Sequence, residues 1–514
     1  MLTLNLALAR TVRLYGDQTA VLDPEGCFTW AQFADRVARA ANVLASFGVE
    51  CGDRFAIICR NTFRNFEIMH AGYWMGAVPV PINYRLAPPE MAYVLDDAEC
   101  KFLVLEDFFS ELMHVGDLAS WSDRVMVLAP PKSDASWPLY ENLMGRAKPA
   151  EMHENREQDD ALIVYTGGTT GRGKGVRLSH RNVVSNALQL GFELGPRTDD
   201  VYLHVAPLFH SAGLLANPYA MRGAAQVFLP KFSAEAVFQA IRSYGVTATL
   251  MTPTMIIIAL QGPDTDSRQL SALRQLIYGS SPMAVEWIKK MLSRIPGVEI
   301  VQAYGLTETS PILTLLSMAE HEKAMATGEE DLLGSVGRQV PGVDLRIVDD
   351  EGNAQPPGSH GEIIVRGPNV TAGYLKRPQE TAAAFRDGWF YTGDIGRMDE
   401  RGYLYLLDRK KDMIITGGEI VFSSEVEAIL YQHPGVHECA VIGIPDETYG
   451  EALLAAVVAA PGTTLTADEL IAHCRDKVGG YKIPRHYIFL DELPKSAMDK
   501  ILKTELRRIY GAKA

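Results

Sequence analysis

The sequence predicts an α/β fold in two parts, a large N-terminal domain over residues 1–407 and a small α+β domain over 408–514. Three observations predict it. Short apolar strands alternate with helical patterns as far as about Ala303, the order expected of mostly parallel sheets covered by helices. After about residue 335 the pattern changes to strict alternation, which marks antiparallel hairpins. The final hundred or so residues carry their own strands and capped helix starts. At 514 residues the chain also exceeds the roughly 100–200 residues usual for one domain.

The elements follow in chain order. Thr29 can cap a first long helix whose Phe33, Val37, Ala40, Leu44 and Phe47 fall on one stripe, and Gly48 stops it. A buried strand is expected at Phe55–Cys59, a helix near Asn65–Trp74, and a strand at Val78–Pro81. Further strands are read at Ala161–Tyr165, Val201–Val205, Val227–Leu229, Val246–Met251, Leu273–Tyr278 and Glu299–Ala303. Between them, Ser233 caps a helix over Ala234–Tyr244, and Ser281-Pro282 reads as a cap with proline in the first turn. Val343, Leu345 and Ile347 then alternate with polar residues, Asp350-Glu351-Gly352-Asn353 turns the chain, and Glu362–Val365 returns. Strands at Tyr403–Leu407, Cys439–Gly443 and Leu453–Val458 follow, with capping boxes at Ser424–Glu427 and Thr466–Glu469. The run Asp408-Arg409-Lys410-Lys411-Asp412 reads as an exposed junction.

Composition narrows the function. A net charge of −14 argues against a nucleic-acid surface, which needs clustered lysine and arginine. The six cysteines form no CxxC pair and no zinc-ligand spacing, so free thiols in a reducing, cytoplasmic compartment are expected. The N-terminal stretch MLTLNLALAR has no basic flank before it and is broken by Asn5, so it does not read as a signal peptide. It reads as a short core-packing helix, with a membrane-surface helix as the alternative. No run of about 18 apolar residues occurs, so no membrane span is expected.

The most informative segment is Tyr165-Thr166-Gly167-Gly168-Thr169-Thr170-Gly171-Arg172-Gly173-Lys174-Gly175, directly after an apolar strand. Glycines let successive backbone N–H groups turn inward and form an anion nest. Thr166, Thr169 and Thr170 add hydroxyl donors, and Lys174 adds a full positive charge. Together they suit a polyphosphate. Gly168 to Lys174 satisfies the P-loop spacing GxxxxGK, but Gly175 stands where a P-loop needs Ser or Thr to hold magnesium.

This loop resembles the first signature of the adenylate-forming superfamily, which includes acyl- and aryl-CoA synthetases, peptide-synthetase adenylation domains and firefly luciferase. It departs twice: Gly167 replaces the usual Ser and Gly173 the usual Pro. The remaining signatures follow in the family's order. Tyr304-Gly305-Leu306-Thr307-Glu308 resembles the second core motif, Tyr391-Thr392-Gly393-Asp394 the ribose motif, and Asp408–Asp412 the hinge. Gly417-Gly418-Glu419 resembles the glycine loop beyond the hinge. The segment from Pro494 to Leu502 resembles the final signature, with Asp499 where Gly is usual before Lys500.

The resemblance implies an ATP-dependent acid–CoA ligase, with ATP, Mg²⁺ and coenzyme A as cofactors or co-substrates. It implies that the N-terminal domain holds acid and ATP and includes a small β-barrel-like part. The C-terminal domain would be a mobile lid hinged near Lys411. Gly167, Gly168, Thr169, Thr170 and Gly171, with Thr166 and Lys174, would hold the β- and γ-phosphates. Thr307 would donate to the α-phosphate, and Glu308 would help bind Mg²⁺. Tyr304 would lie against adenine, and Gly279, Ser280 and Ser281 would line the adenine and acyl pockets. Asp394 would accept from both ribose hydroxyls. Arg409 would reach the ribose or a phosphate. Lys500 would bridge the carboxylate and the α-phosphate. His210 would stand where carboxylate and thiol meet, with a buried structural histidine as the competing reading. Gly417 and Gly418 would line the pantetheine tunnel once the lid has swung.

The expected substrate is a medium- to long-chain fatty acid or an aromatic monocarboxylic acid, because no cation stands out for a second acid charge. Two other functions stay open: an acyl-AMP ligase loading a carrier protein, and a non-catalytic nucleotide-binding protein. No nucleic-acid partner is expected, and a homodimer stays open.

Overall fold

The structure, a computed structural model, describes residues 1–128, 137–166, 173–261, 270, 272–475, 477–495 and 501–511. Helix starts obey local chemistry where the sequence offers it. The Thr29 hydroxyl accepts from Gln32 N and Gln32 accepts from Thr29 N, so a reciprocal box opens the helix Trp30–Ser46. That helix buries Phe33, Val37, Ala40 and Leu44 as its stripe requires.

The described strands build two large parallel-rich layers. One sheet runs, edge to edge, Arg338–Gln339, Ile312–Leu316, Glu299–Gly305, Gln275–Gly279, Ala248–Met251, Val201–His204, Ala225–Phe228, Thr19–Asp23 and Gly26–Thr29. Its interior is parallel and its two ends are antiparallel. A four-stranded parallel sheet is formed by Val78–Pro81, Arg54–Ile58, Phe102–Leu105 and Val125–Val127. Its strands are buried almost throughout, as two covered faces demand.

Three expectations need correction. The strand read at Ala161–Tyr165 exists as Asp160–Thr166, but it pairs antiparallel with Lys174–Ser179. Only seven residues separate the two strands in sequence, too few for the crossover that parallel pairing needs. The helix expected from Ser281-Pro282 begins at Val285, because the chain first turns through Ser280 at φ +72°. The capping box at Ser424–Glu427 does not form. Ser424 Oγ bonds the Leu407 carbonyl instead, and Glu427 accepts from Val441 N and pairs with Lys503. The box at Thr466–Glu469 does form.

A curled antiparallel sheet of Asp344–Val348, His360–Arg366, Trp389–Met398, Phe385–Arg386 and Leu404–Arg409 follows the large layers. The small C-terminal α+β domain has its own core. Its sheet joins Glu419–Val421, Ile414–Thr416, Gly450–Ala459, Val436–Asp446 and His486–Phe489. Helices Ser423–Tyr431 and Ala467–Arg475 pack Val426, Leu430 and Leu470 on one side of it. Among the described residues no helix is long and apolar enough to cross a membrane. The N-terminal stretch is the helix Leu4–Tyr15, which buries Leu4 and Leu8 against the core.

Candidate functional site

The second core motif sits where the large sheet ends. Strand Glu299–Gly305 carries Tyr304 and stops, and a single helical turn, Thr307–Thr309, follows. Neighbouring Gly279 closes the adjacent strand, and a Cβ there would lie 2.2 Å from the Ala303 carbonyl oxygen. Only glycine lets these strand ends approach so closely. Ser280 and Ser281 are exposed just beyond it.

Asp394 reaches the same place from the curled sheet. Thr392 Oγ1 accepts from Asp394 N at 3.1 Å and donates to the Ile363 carbonyl, which fixes the bend in strand Trp389–Met398. The buried Tyr304 phenol donates to Asp394 Oδ2 at 2.7 Å. Arg409 Nε lies 2.7 Å from Asp394 Oδ1. Burial, then the adjoining Asp394 carboxylate, push the Tyr304 pKa well up, so the phenol keeps its proton and acts as donor.

Glu308 is the second acidic group. Its Oε1 accepts from Tyr374 Oη at 3.0 Å, and its carbonyl accepts from Thr371 N at 2.8 Å. Burial raises the Glu308 pKa, while the Tyr374 bond and Arg409 act the other way. Thr307 is buried, with its Oγ1 at 3.1 Å from Ser211 Oγ. Ser211 follows His210, whose Nδ1 accepts from Ala212 N at 3.2 Å and caps the turn Ser211–Ala216. The glycine segment joins from a third direction. Lys174 Nζ lies 5.3 Å from the centre of the Tyr374 ring, the same ring that binds Glu308.

The structure thus gathers Tyr304, Thr307, Glu308, Asp394, Arg409, Lys174 and, through Ser211, His210. Thr166 faces Lys174 across the hairpin. Gly167, Gly168, Thr169, Thr170, Gly171 and Lys500 lie outside the described residues. Lys411, Gly417 and Gly418 make no hydrogen bond or ion pair with this cluster among the described residues. The two glycines are exposed, at φ +61° and +87°.

Sequence reading missed several members. Tyr374 bridges Glu308 and Lys174. The buried Glu362 accepts from Gly393 N at 3.2 Å and pairs with Lys410 at 3.0 Å, so it links the segment Tyr391–Asp394 to the run Asp408–Asp412. In the sequence Glu362 is only the first residue of a returning strand, and its partners Gly393 and Lys410 lie 31 and 48 positions away, so no local signal marks it. A groove of about 920 Å³ between the helix Leu4–Tyr15 and the helix His180–Leu194 is lined by none of the candidate residues.

Oxygen donors suit a hard cation here. Among the described residues no three His, Cys, Asp or Glu side chains converge as a metal cage. A half-buried carboxylate such as Glu308 beside a polyphosphate site fits Mg²⁺, which commonly takes one or two carboxylates and draws the rest from phosphate and water.

Residues 8–375 match the family described as AMP-binding enzyme, and residues 425–500 its C-terminal domain. The chain is 37% identical over 504 residues to a feruloyl-CoA synthase of Amycolatopsis sp, covering 98% of each chain. It is 36% identical over 501 residues to an indoleacetate–CoA ligase of Aromatoleum aromaticum, covering 96% of each. Among solved structures, ATP-bound MatB from Rhodopseudomonas palustris superposes with a TM-score of 0.89 at 32% identity, covering 99% of each chain. The o-succinylbenzoate CoA synthetase MenE from Bacillus subtilis, in complex with its acyl-adenylate intermediate, superposes with a TM-score of 0.85 at 30% identity, covering 98% of this chain and 97% of that one.

Proposed function

This chain belongs to the AMP-binding enzyme family and is an AMP-forming acid–CoA ligase, and from that premise we propose that its acid is an aromatic or arylalkanoic monocarboxylate. Three of the relatives named above act, by their names, on feruloyl, indoleacetate and succinylbenzoate groups, so the aromatic branch of the sequence reading has support and the fatty-acid branch has none from them. The reaction has two steps. A carboxylate oxygen bonds to the α-phosphorus of ATP and pyrophosphate leaves. The CoA sulfur then bonds to the acyl carbon, the thiol proton is lost, and AMP leaves.

The observation that carries the site assignment is the shared carboxylate of Asp394, held by Tyr304 from the large sheet and by Arg409 from the hinge strand. In this reading Asp394 receives the ribose hydroxyls, while Tyr304 flanks the adenine. Thr307, Thr166 and Lys174 donate to phosphate oxygens, as oriented donors must where negative charge accumulates. Glu308 supplies the protein's oxygen to Mg²⁺, which when bound offsets triphosphate charge. Lys500 would offset the charge of carboxylate and α-phosphate during adenylation. Lys411 would be the pivot by which the domain beyond Asp408 withdraws Lys500 and presents Gly417 and Gly418 to pantetheine. His210, next to the Ser211–Thr307 contact, would meet the acyl carbonyl in this reading. Six free cysteines fit a reducing cytoplasm.

A panel of aromatic, arylalkanoic and fatty acids in acid-dependent ATP–pyrophosphate exchange tests the substrate. Aromatic or arylalkanoic acids should give the highest kcat/KM, and a clear preference for decanoate or longer chains would overturn the proposal. Lys500→Ala should abolish most exchange yet leave thioesterification of supplied acyl-adenylate largely intact, and equal loss of both would contradict its role.

A further inference from the structure

Three side chains outside the site clasp the hairpin that carries Thr166 and Lys174. The Tyr165 phenol donates to Asp97 Oδ2 at 2.7 Å. Just before the returning strand, the Tyr93 phenol donates to the Gly173 carbonyl at 3.1 Å. Arg377 Nη2 joins the two points, donating to Asp97 Oδ1 at 2.7 Å and to Tyr93 Oη at 2.9 Å. Tyr93 and Asp97 stand one turn apart on the helix Pro88–Asp97, so a single helix face grips both sides of the hairpin. Arg377 ends a segment that is itself tied to the site. Leu375 N donates to the Gly175 carbonyl at 2.8 Å, and Tyr374 donates to Glu308.

We propose that Tyr93, Asp97 and Arg377 are positioning residues for ATP: they fix the spacing of Tyr165 and Gly173, and so of the donors Thr166 and Lys174 next to them. The physical need is local. Gly173 has more backbone freedom than any other residue type would, so its carbonyl direction must be set by an outside partner. The bond that sets it is reinforced, because the Tyr93 oxygen accepts from a guanidinium while its proton goes to the carbonyl. Asp97 is nearly buried beneath Arg377, with 11% and 27% side-chain exposure, so the pair is less screened than an open surface pair. Burial, then the bond to Asp97, push the Tyr165 pKa far up, which keeps that phenol a donor. None of the three side chains need touch substrate.

The proposal rests on the ATP reading of this hairpin, and the measurements separate the two. ATP affinity is measured by calorimetry without acid, and thioesterification is measured separately from supplied acyl-adenylate, which has no β- or γ-phosphate. Tyr93→Phe, which removes one hydroxyl and leaves the ring, should weaken ATP binding about three- to tenfold. It should leave thioesterification and the melting temperature nearly unchanged. Arg377→Gln should weaken ATP binding at least as much. Stiffening the backbone with Gly173→Pro should shrink the Tyr93→Phe penalty, because the phenol would then have less freedom to remove. Unchanged ATP affinity in Tyr93→Phe, the same penalty in both backgrounds, or equal loss in both half-reactions would overturn the clasp. Failure of the unaltered protein to bind ATP would instead remove the nucleotide reading itself.

Discussion

Around Glu308 and Asp394 the acidic groups already have protein partners, whereas the hairpin Ile414–Val421 ends in two exposed glycines beside exposed Ile415 and Ile420. The first region is held by many contacts: the large sheet, the curled sheet and the segment around Tyr374 all converge on it. Its donors and charges stand in place before a ligand arrives, which is what electrostatic stabilisation of a phosphoryl-transfer step requires. The second region presents apolar surface, with Tyr449 also 39% exposed and its carbonyl bonded to Gly417 N. Such a surface gains most by meeting a further surface or a ligand chain. The contrast teaches how the proposed division of labour can be tested: if the nucleotide is held at the first region and pantetheine at the second, a change in one should spare the half-reaction of the other.

Glu308→Gln should break the first region most strongly. Glutamine keeps an acceptor for Tyr374 but removes the charge, and acid-dependent exchange should fall about 10²- to 10³-fold. Stability should move the other way. Burial raises the Glu308 pKa, so the folded chain holds the proton more tightly than the unfolded chain. That contribution is fully present below the unfolded pKa and is lost as pH rises through the folded pKa. The variant should therefore melt at a higher temperature than the parent at pH 7, with the gain shrinking toward acid pH. A lower melting temperature at pH 7 would contradict this account of the site.

Gly418→Val sharpens the comparison from the other side. At φ +87° a β-branched residue is strained by roughly 1–2 kcal/mol, although a Cβ itself meets nothing within 4 Å. Thioesterification of supplied acyl-adenylate should drop about tenfold while pyrophosphate exchange holds. Loss of exchange with thioesterification retained would reverse the assignment of the two regions.

The smallest effect belongs to the junction between them. Asp408 Oδ2 accepts from Ser423 N and from Ser423 Oγ, both at 2.6 Å, and so caps the helix Ser423–Tyr431 from fifteen residues upstream. Asp408→Ala should cost about 1 kcal/mol in urea denaturation of the C-terminal domain, as loss of a helix cap does. A change of less than a few tenths would mean that the Ser424 bond to the Leu407 carbonyl suffices alone.

Much of this was legible in one dimension. Thr29 and Gln32 lie three residues apart and meet because one helical turn brings them together. Tyr304, Thr307 and Glu308 occupy one strand end and the turn after it, so their motif survives as a short run of letters. The Ser424–Glu427 box failed for an equally physical reason. Its spacing fits a cap, but Glu427 finds Lys503 and Val441 N in the folded core. Tyr374, Arg377 and Glu362 carried no such local signature, since each acts on residues tens or hundreds of positions away.

The sequence alone determined the alternation of strands and helices, the glycine-threonine segment and the order of the acidic and basic motifs, because periodicity and turn chemistry act between neighbours. Only the tertiary structure decided which groups share a carboxylate, which hydroxyl points at which carbonyl, and that strand Asp160–Thr166 folds back on Lys174–Ser179. Those choices depend on packing between distant segments, where burial and hydrogen-bond satisfaction are settled together rather than residue by residue.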